Sequence, residues 1–171
     1  MFGVQERRDL VAKLEEHRVK LMEIVATLDD EAGNTPLKLG DRSPKGQLLH
    51  VVEMERHYVW DWAGRARDED SPDFSRRGSS TTEEAPSVDP ANVLTVAELV
   101  ERLNQQRDLT YRFIAGTSDE EMERVGRNTP FGDLTVHQFL KSVYRHDQMH
   151  QDEVLGQESS YVVVNQEGRR L

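Results

Sequence analysis

An all-α four-helix bundle, formed by a single domain over residues 1–171, is the fold this sequence predicts. Three observations carry the expectation. Four segments space their apolar residues at three, four and seven, the period of one helical face. Three of them open on a Ser or Thr in a helix-capping context, and period-two alternation is nearly absent. With 171 residues, of which 36% are hydrophobic, the chain can bury about 70% of its unfolded surface.

The first helix is expected over about 5–28. Leu10, Leu14, Leu21, Ile24 and Leu28 form its stripe, His17 completes the series, and the turn formers Asp29 to Asn34 end it. Ser43-Pro44 is a cap hydroxyl followed by a first-turn proline, and it starts a second helix over 44–67. The apolar arc of that helix (Leu48, Val52, Val59, Trp62, Ala63) points away from both His50 and His57. Thr95 and Glu98 form a capping box for a third helix over 96–115, with Leu99, Leu103, Phe113 and Ile114 on its apolar face and Gly116 as its stop. Thr135 and Gln138 repeat the device for a fourth over 136–155. Between helices two and three, 68–94 has no period and contains Pro72, Pro86 and Pro90, which reads as a long crossover. The tail 156–171 contains Tyr161 to Val164, a short strand or a packing arm.

Composition excludes several functions. With 22 Lys+Arg against 32 Asp+Glu the net charge is −10, which opposes nucleic acid and anionic membrane surfaces as partners. No apolar run is long enough to span a bilayer, and the first residues carry no signal-peptide core, so a cytoplasmic location is expected. Cysteine is absent, which removes disulfides, thiolate nucleophiles and Cys-based metal sites. Any metal must be held by His, Asp or Glu.

His146 and His150 stand four apart on the fourth helix, a spacing that suits two imidazoles on one ion. At 100° per residue both fall, with Asp147, inside the apolar arc of Val136, Phe139, Leu140, Val143 and Val154. Three ionisable groups on a core-facing stripe need partners, either a bound cation or a hydrogen-bonded polar layer. A further ligand is needed, and periodicity alone supports neither His50 nor His57. Glu53 and Asp147 are the carboxylates nearest in sequence, expected to orient an imidazole N–H or accept a proton. Gln106, Arg107 and Thr110 interrupt the apolar face of the third helix, with Gln106 and Arg107 expected to bind polar groups of a cofactor or substrate. His17 is either a satisfied core histidine or a donor behind the site.

The segment Arg42 to His57, with its Ser43-Pro44 start, His50 and following acidic residues, resembles the second helix of the DinB-like (damage-inducible) superfamily. Thr129 to Thr135 followed by His146-Asp147-Gln148-Met149-His150 is similar to that family's final helix and His-x-x-x-His pair. The resemblance implies a DinB-like metal-binding bundle whose ligands are His50, His146 and His150, and so selects His50 over His57. Two departures stand out: Arg42 replaces an aromatic residue often found before the Ser-Pro start, and Asp147 replaces a Glu.

An open set of three imidazoles favours catalysis over a closed structural site. Imidazole suits zinc, nickel, copper and iron, with zinc and nickel the leading expectations for a divalent ion and iron next. The resemblance implies a metal-dependent enzyme acting on a small-molecule substrate. A thiol-dependent S-transferase using a low-molecular-weight thiol leads, and a metal-dependent hydrolase or a non-catalytic metal-binding stress protein are the alternatives. The apolar excess of Trp60, Trp62 and Val162 to Val164 would suit a homodimer face.

Overall fold

The three longest helices after the first begin where the chain supplies a cap. In the computed structural model, which describes residues 2–37, 42–75 and 90–161, the Gly46 N–H donates to Ser43 Oγ at 3.0 Å and opens α3 (Pro44–Arg56). Reciprocal capping boxes open α5 (Val96–Gly116) and α7 (Val136–Val154), through Thr95 with Glu98 and Thr135 with Gln138. The first helix, α1 (Val4–Val25), has no side-chain cap. It stops three residues before its expected end because Asp29 adopts an extended backbone and caps a short helix, α2 (Asp30–Gly33), by accepting from the Ala32 N–H. Among the described residues no helix is long and apolar enough to cross a membrane.

The second predicted helix is continuous to Asp68 but not uniform. After α3 its backbone widens into a π-helix over His57–Gly64 before resuming as α4 (Arg65–Asp68). Two further elements escaped the sequence reading. A short helix, α6 (Asp119–Met122), leads into an antiparallel hairpin of β1 (Val125–Thr129) and β2 (Gly132–Thr135), and α7 starts directly from it. The hairpin turn uses positive φ at Asn128 (57°) and Gly132 (98°), residue types that tolerate it. The start of the crossover joins this hairpin: the Phe74 N–H donates to Arg127 O at 3.0 Å, and the Arg127 N–H to Pro72 O at 2.9 Å. Much of the expected crossover, residues 76–89, and Val162 to Val164 of the expected dimer face lie outside the described residues. Of the other two members of that face, Trp60 is 40% exposed and meets the edge of Phe113, while Trp62 packs among Phe74, Phe131 and Phe139.

Two apolar clusters fill the bundle. One gathers Leu10, Leu14, Val59, Phe113, Phe139 and Val143 with the hairpin and crossover side chains. The other gathers Leu21, Val25, Leu48, Val51, Leu99, Leu103 and Val154. Along α1 and α7 the chain passes from the first cluster to the second, and along α3 and α5 from the second to the first. So α3 and α5 run the same way. A connection between two parallel helices must travel back along the bundle, about 30 Å for a helix of this length, which is why the crossover is long.

Between the clusters lies a layer of buried charge. Each long helix contributes to it: Arg18 from α1, Glu55 from α3, Arg107 from α5 and Asp147 from α7, all between 1% and 5% exposed. Arg18 Nε donates to Asp147 Oδ2 at 3.0 Å and Nη2 to Glu55 Oε2 at 2.5 Å. Arg107 Nε donates to Glu55 Oε1 at 2.8 Å and Nη2 to Asp147 Oδ2 at 2.8 Å. A further guanidinium hydrogen of each arginine reaches backbone: Arg18 Nη1 donates to Leu103 O and Arg107 Nη1 to Leu14 O, each capturing a carbonyl of the neighbouring helix. Thr110 Oγ1 donates to Glu55 Oε1 at 2.6 Å. Two positive and two negative charges cancel, and multiple hydrogen bonds meet each group, as buried ions require.

Such a network tolerates loss of a member badly. Glu55→Gln leaves two buried guanidiniums with a single compensating carboxylate and is expected to lower unfolding free energy by about 3–5 kcal/mol. Urea denaturation monitored by circular dichroism measures this, and a loss below about 1 kcal/mol would contradict the role assigned to the layer.

Candidate metal centre

The residues next to the charge layer decide where the imidazoles go. His146 and His150 flank Asp147 on α7, and Asp147 is held inward by two guanidiniums, so its neighbours at −1 and +3 also face the interior, His146 8% and His150 2% exposed. His50 lies five residues before Glu55 on α3, half-buried against α7. The His50 ring centroid stands 5.0 Å from that of His146 and 5.1 Å from that of His150, and the two α7 rings are 4.3 Å apart. His146 Nε2 and His150 Nε2 approach to 3.0 Å. One ligand nitrogen from each of the three lies within 4.8 Å of the other two. The edge of Tyr58, from the π-helical turn, closes on His146 at 5.6 Å.

Burial dominates the electrostatics. Desolvation, then the nearby His150 and Arg42, pushes His50 down to about 3. Desolvation followed by His150, His50, Arg42 and Arg18 holds His146 well below the ordinary histidine range. Both rings are therefore neutral at pH 7, the form whose lone pair can ligate a metal. Arg42, the departure noted before the Ser-Pro start, thus bears on the centre through its charge. Three buried or half-buried imidazole nitrogens without thiolate suit a borderline divalent cation better than calcium or magnesium, which prefer oxygen. The donor set fits a divalent ion.

The other expected site residues are placed differently. Glu53 is exposed on α3. Asp147 has both carboxylate oxygens engaged by Arg18 and Arg107, so it holds the bundle rather than an imidazole N–H. Arg107 is likewise consumed by Glu55, Asp147 and Leu14 O. Gln106 is buried, and among the described residues its Nε2 has no hydrogen-bond partner. His17 is buried, stacked on Tyr144 with ring centroids 5.6 Å apart. His57 pairs with Asp61 at 2.8 Å. Arg18, Glu55 and Glu153 went unnoticed in the sequence. Glu153 brings Oε2 to 2.7 Å from His150 Nδ1, and its position three residues after a proposed ligand was the available signal. His50 also corrects the helical-wheel picture. The apolar arc drawn for helix two runs across the π-turn, where i→i+5 bonding advances less than 100° per residue, so residues after His57 were placed out of phase.

Two outcomes test the centre. His50→Ala, His146→Ala and His150→Ala should each cut bound metal measured by elemental analysis severalfold, while His57→Ala and His137→Ala retain it; full stoichiometry in His50→Ala would remove that ligand. In metal-free protein, His50, His137 (pushed down to about 4, mainly by burial) and His146 bind fewer protons folded than unfolded between their lowered pKa values and about 6.5. Stability is therefore fully present above about pH 6.5 and is lost as pH falls toward 4, by about 1.4 kcal/mol per pH unit for each proton taken up on unfolding. Urea midpoints across that range should fall with acid, less steeply in His146→Gln; a flat profile would contradict the buried neutral state.

Comparison with known proteins agrees with the fold. A sequence profile of the DinB superfamily matches residues 13–154. Among curated proteins none matches the sequence. Among solved structures, YfiT from Bacillus subtilis, described as a probable metal-dependent hydrolase with an unusual four-helix bundle topology, superposes with a TM-score of 0.64 at 14% identity, covering 92% of each chain. With the profile match covering residues 13–154, from the middle of α1 to the end of α7 and including the three histidines, the chain belongs to the DinB superfamily.

Proposed function

We propose that this chain is a divalent-metal-dependent enzyme acting on a small molecule, with His50, His146 and His150 as the ligands. The observation that carries the proposal is the convergence of three imidazole nitrogens, within 4.8 Å of one another, in surroundings that keep His50 and His146 uncharged. A bound divalent cation would supply Lewis-acid polarisation and lower the pKa of a coordinated water or thiol. The chain's own residues do the rest. Tyr58 covers the His146 side of the centre, while half-buried His50 leaves an approach from solvent. The layer of Arg18, Arg107, Glu55 and Asp147 holds the two ligand-bearing helices together beneath it.

Hydrolysis is the reaction class we favour, supported by the description of YfiT, whose fold this chain shares. A low-molecular-weight thiol as co-substrate is the second reading: the chain has no cysteine, so a thiol nucleophile would have to come from solution. Zinc- and nickel-loaded protein assayed against ester, amide and electrophilic substrates, with and without added thiols, separates the two. Turnover without thiol, abolished by chelator and in His150→Ala, is the expected result. Turnover only with thiol would replace hydrolysis by S-transfer. Stoichiometric metal binding with no turnover in either condition, together with a large fall in melting temperature on chelation, would make the ion structural.

A further inference from the structure

A neutral imidazole carries one N–H, and the nitrogen that keeps it cannot ligate a metal. For His150 the nitrogen facing the other rings is Nε2, 3.0 Å from His146 Nε2. The opposite nitrogen, Nδ1, is buried, and among the described residues no group makes a full hydrogen bond to it. One carboxylate does approach: Glu153 Oε2 lies 2.7 Å away, three residues further along α7. The other carboxylate adjoining the pair, Asp147, is committed through both oxygens to Arg18 and Arg107. Glu153 is 31% exposed in its side chain, so it is neither core packing nor part of the charge layer.

We propose that Glu153 is a positioning residue of the metal centre. Its carboxylate accepts the Nδ1 hydrogen of His150, places the tautomer on Nδ1, and leaves the Nε2 lone pair directed at the site shared with His50 and His146. The proposal rests on those three histidines binding metal. An acceptor behind a ligating imidazole both orients the ring and raises its basicity, and removing such an acceptor commonly weakens metal binding 10- to 100-fold. Asp147 cannot substitute, since turning it toward an imidazole would strip a partner from two buried guanidiniums.

The test has two arms on the full chain. In metal-free protein, long-range 1H–15N correlation spectra of the histidine rings report the tautomer directly. Wild type should show His150 protonated on Nδ1, Glu153→Ala should move that proton wholly or partly to Nε2, and Glu153→Gln, which keeps an oxygen acceptor, should stay close to wild type. In the second arm, zinc affinity is measured by competition with a chromogenic chelator. Glu153→Ala should bind zinc about 10- to 100-fold more weakly, with Glu153→Gln between it and wild type, and all three metal-free proteins should melt within a few degrees of one another. An unchanged His150 tautomer in Glu153→Ala, or zinc affinity equal to wild type, overturns the proposal. Wild type that binds no zinc or nickel would instead sink the metal reading itself, and the tautomer arm would still decide whether Glu153 orients His150.

Discussion

Arg18 and Arg107 share the carboxylates of Glu55 and Asp147 in a layer from which water is excluded, and each of the four charges comes from a different long helix. Apolar packing above and below is tolerant of small slips, because one leucine contact replaces another at similar energy. Charge at this depth is not. A shift of one turn in any helix would leave a buried ion without its partner, at a cost of several kcal/mol. The layer therefore sets the register of α1, α3, α5 and α7 together. The capture of Leu14 O and Leu103 O by the same guanidiniums ties the α1–α5 contact at both ends.

The imidazoles inherit their positions from that register. His146 and His150 straddle Asp147, so the residue that anchors α7 also turns both rings inward. His50 precedes Glu55 by five residues on α3, and its ring meets the two α7 rings at this level. Their closeness has an electrostatic consequence. Burial and mutual repulsion oppose protonation of His50 and His146, and the Arg42 charge works in the same direction. What destabilises the fold in acid is what prepares the nitrogens to ligate a cation near neutrality.

Much of this was legible in the sequence. Capping residues predicted the starts of three long helices, and the apolar arc of α7 exposed His146 and His150 as inward-facing. His50 was not legible from periodicity, because the π-turn at His57–Gly64 breaks the 100° phase on which a helical wheel depends; family resemblance supplied it. The charge layer was missed for a different reason. Arg18, Glu55, Arg107 and Asp147 each interrupt an apolar series, four residues after Leu14, Val51, Leu103 and Val143 respectively; Asp147 was legible as an inward ionisable group in need of a partner, but nothing in the sequence pairs it with charges on three other helices. Only the coincidence of level across four helices makes it a layer, and level is a tertiary property. The hairpin escaped because its burial does not alternate cleanly along β1.

X-ray absorption on stoichiometrically loaded protein counts the imidazoles around the ion, and it bears most directly on a centre assembled across two helices by the charge layer. Three imidazole nitrogens are expected in wild type. In Glu55→Gln, at a temperature where the variant keeps its native ellipticity, α3 is released and two are expected, both from α7. Two imidazoles in wild type, or three in both proteins, would contradict the dependence of the centre on that layer.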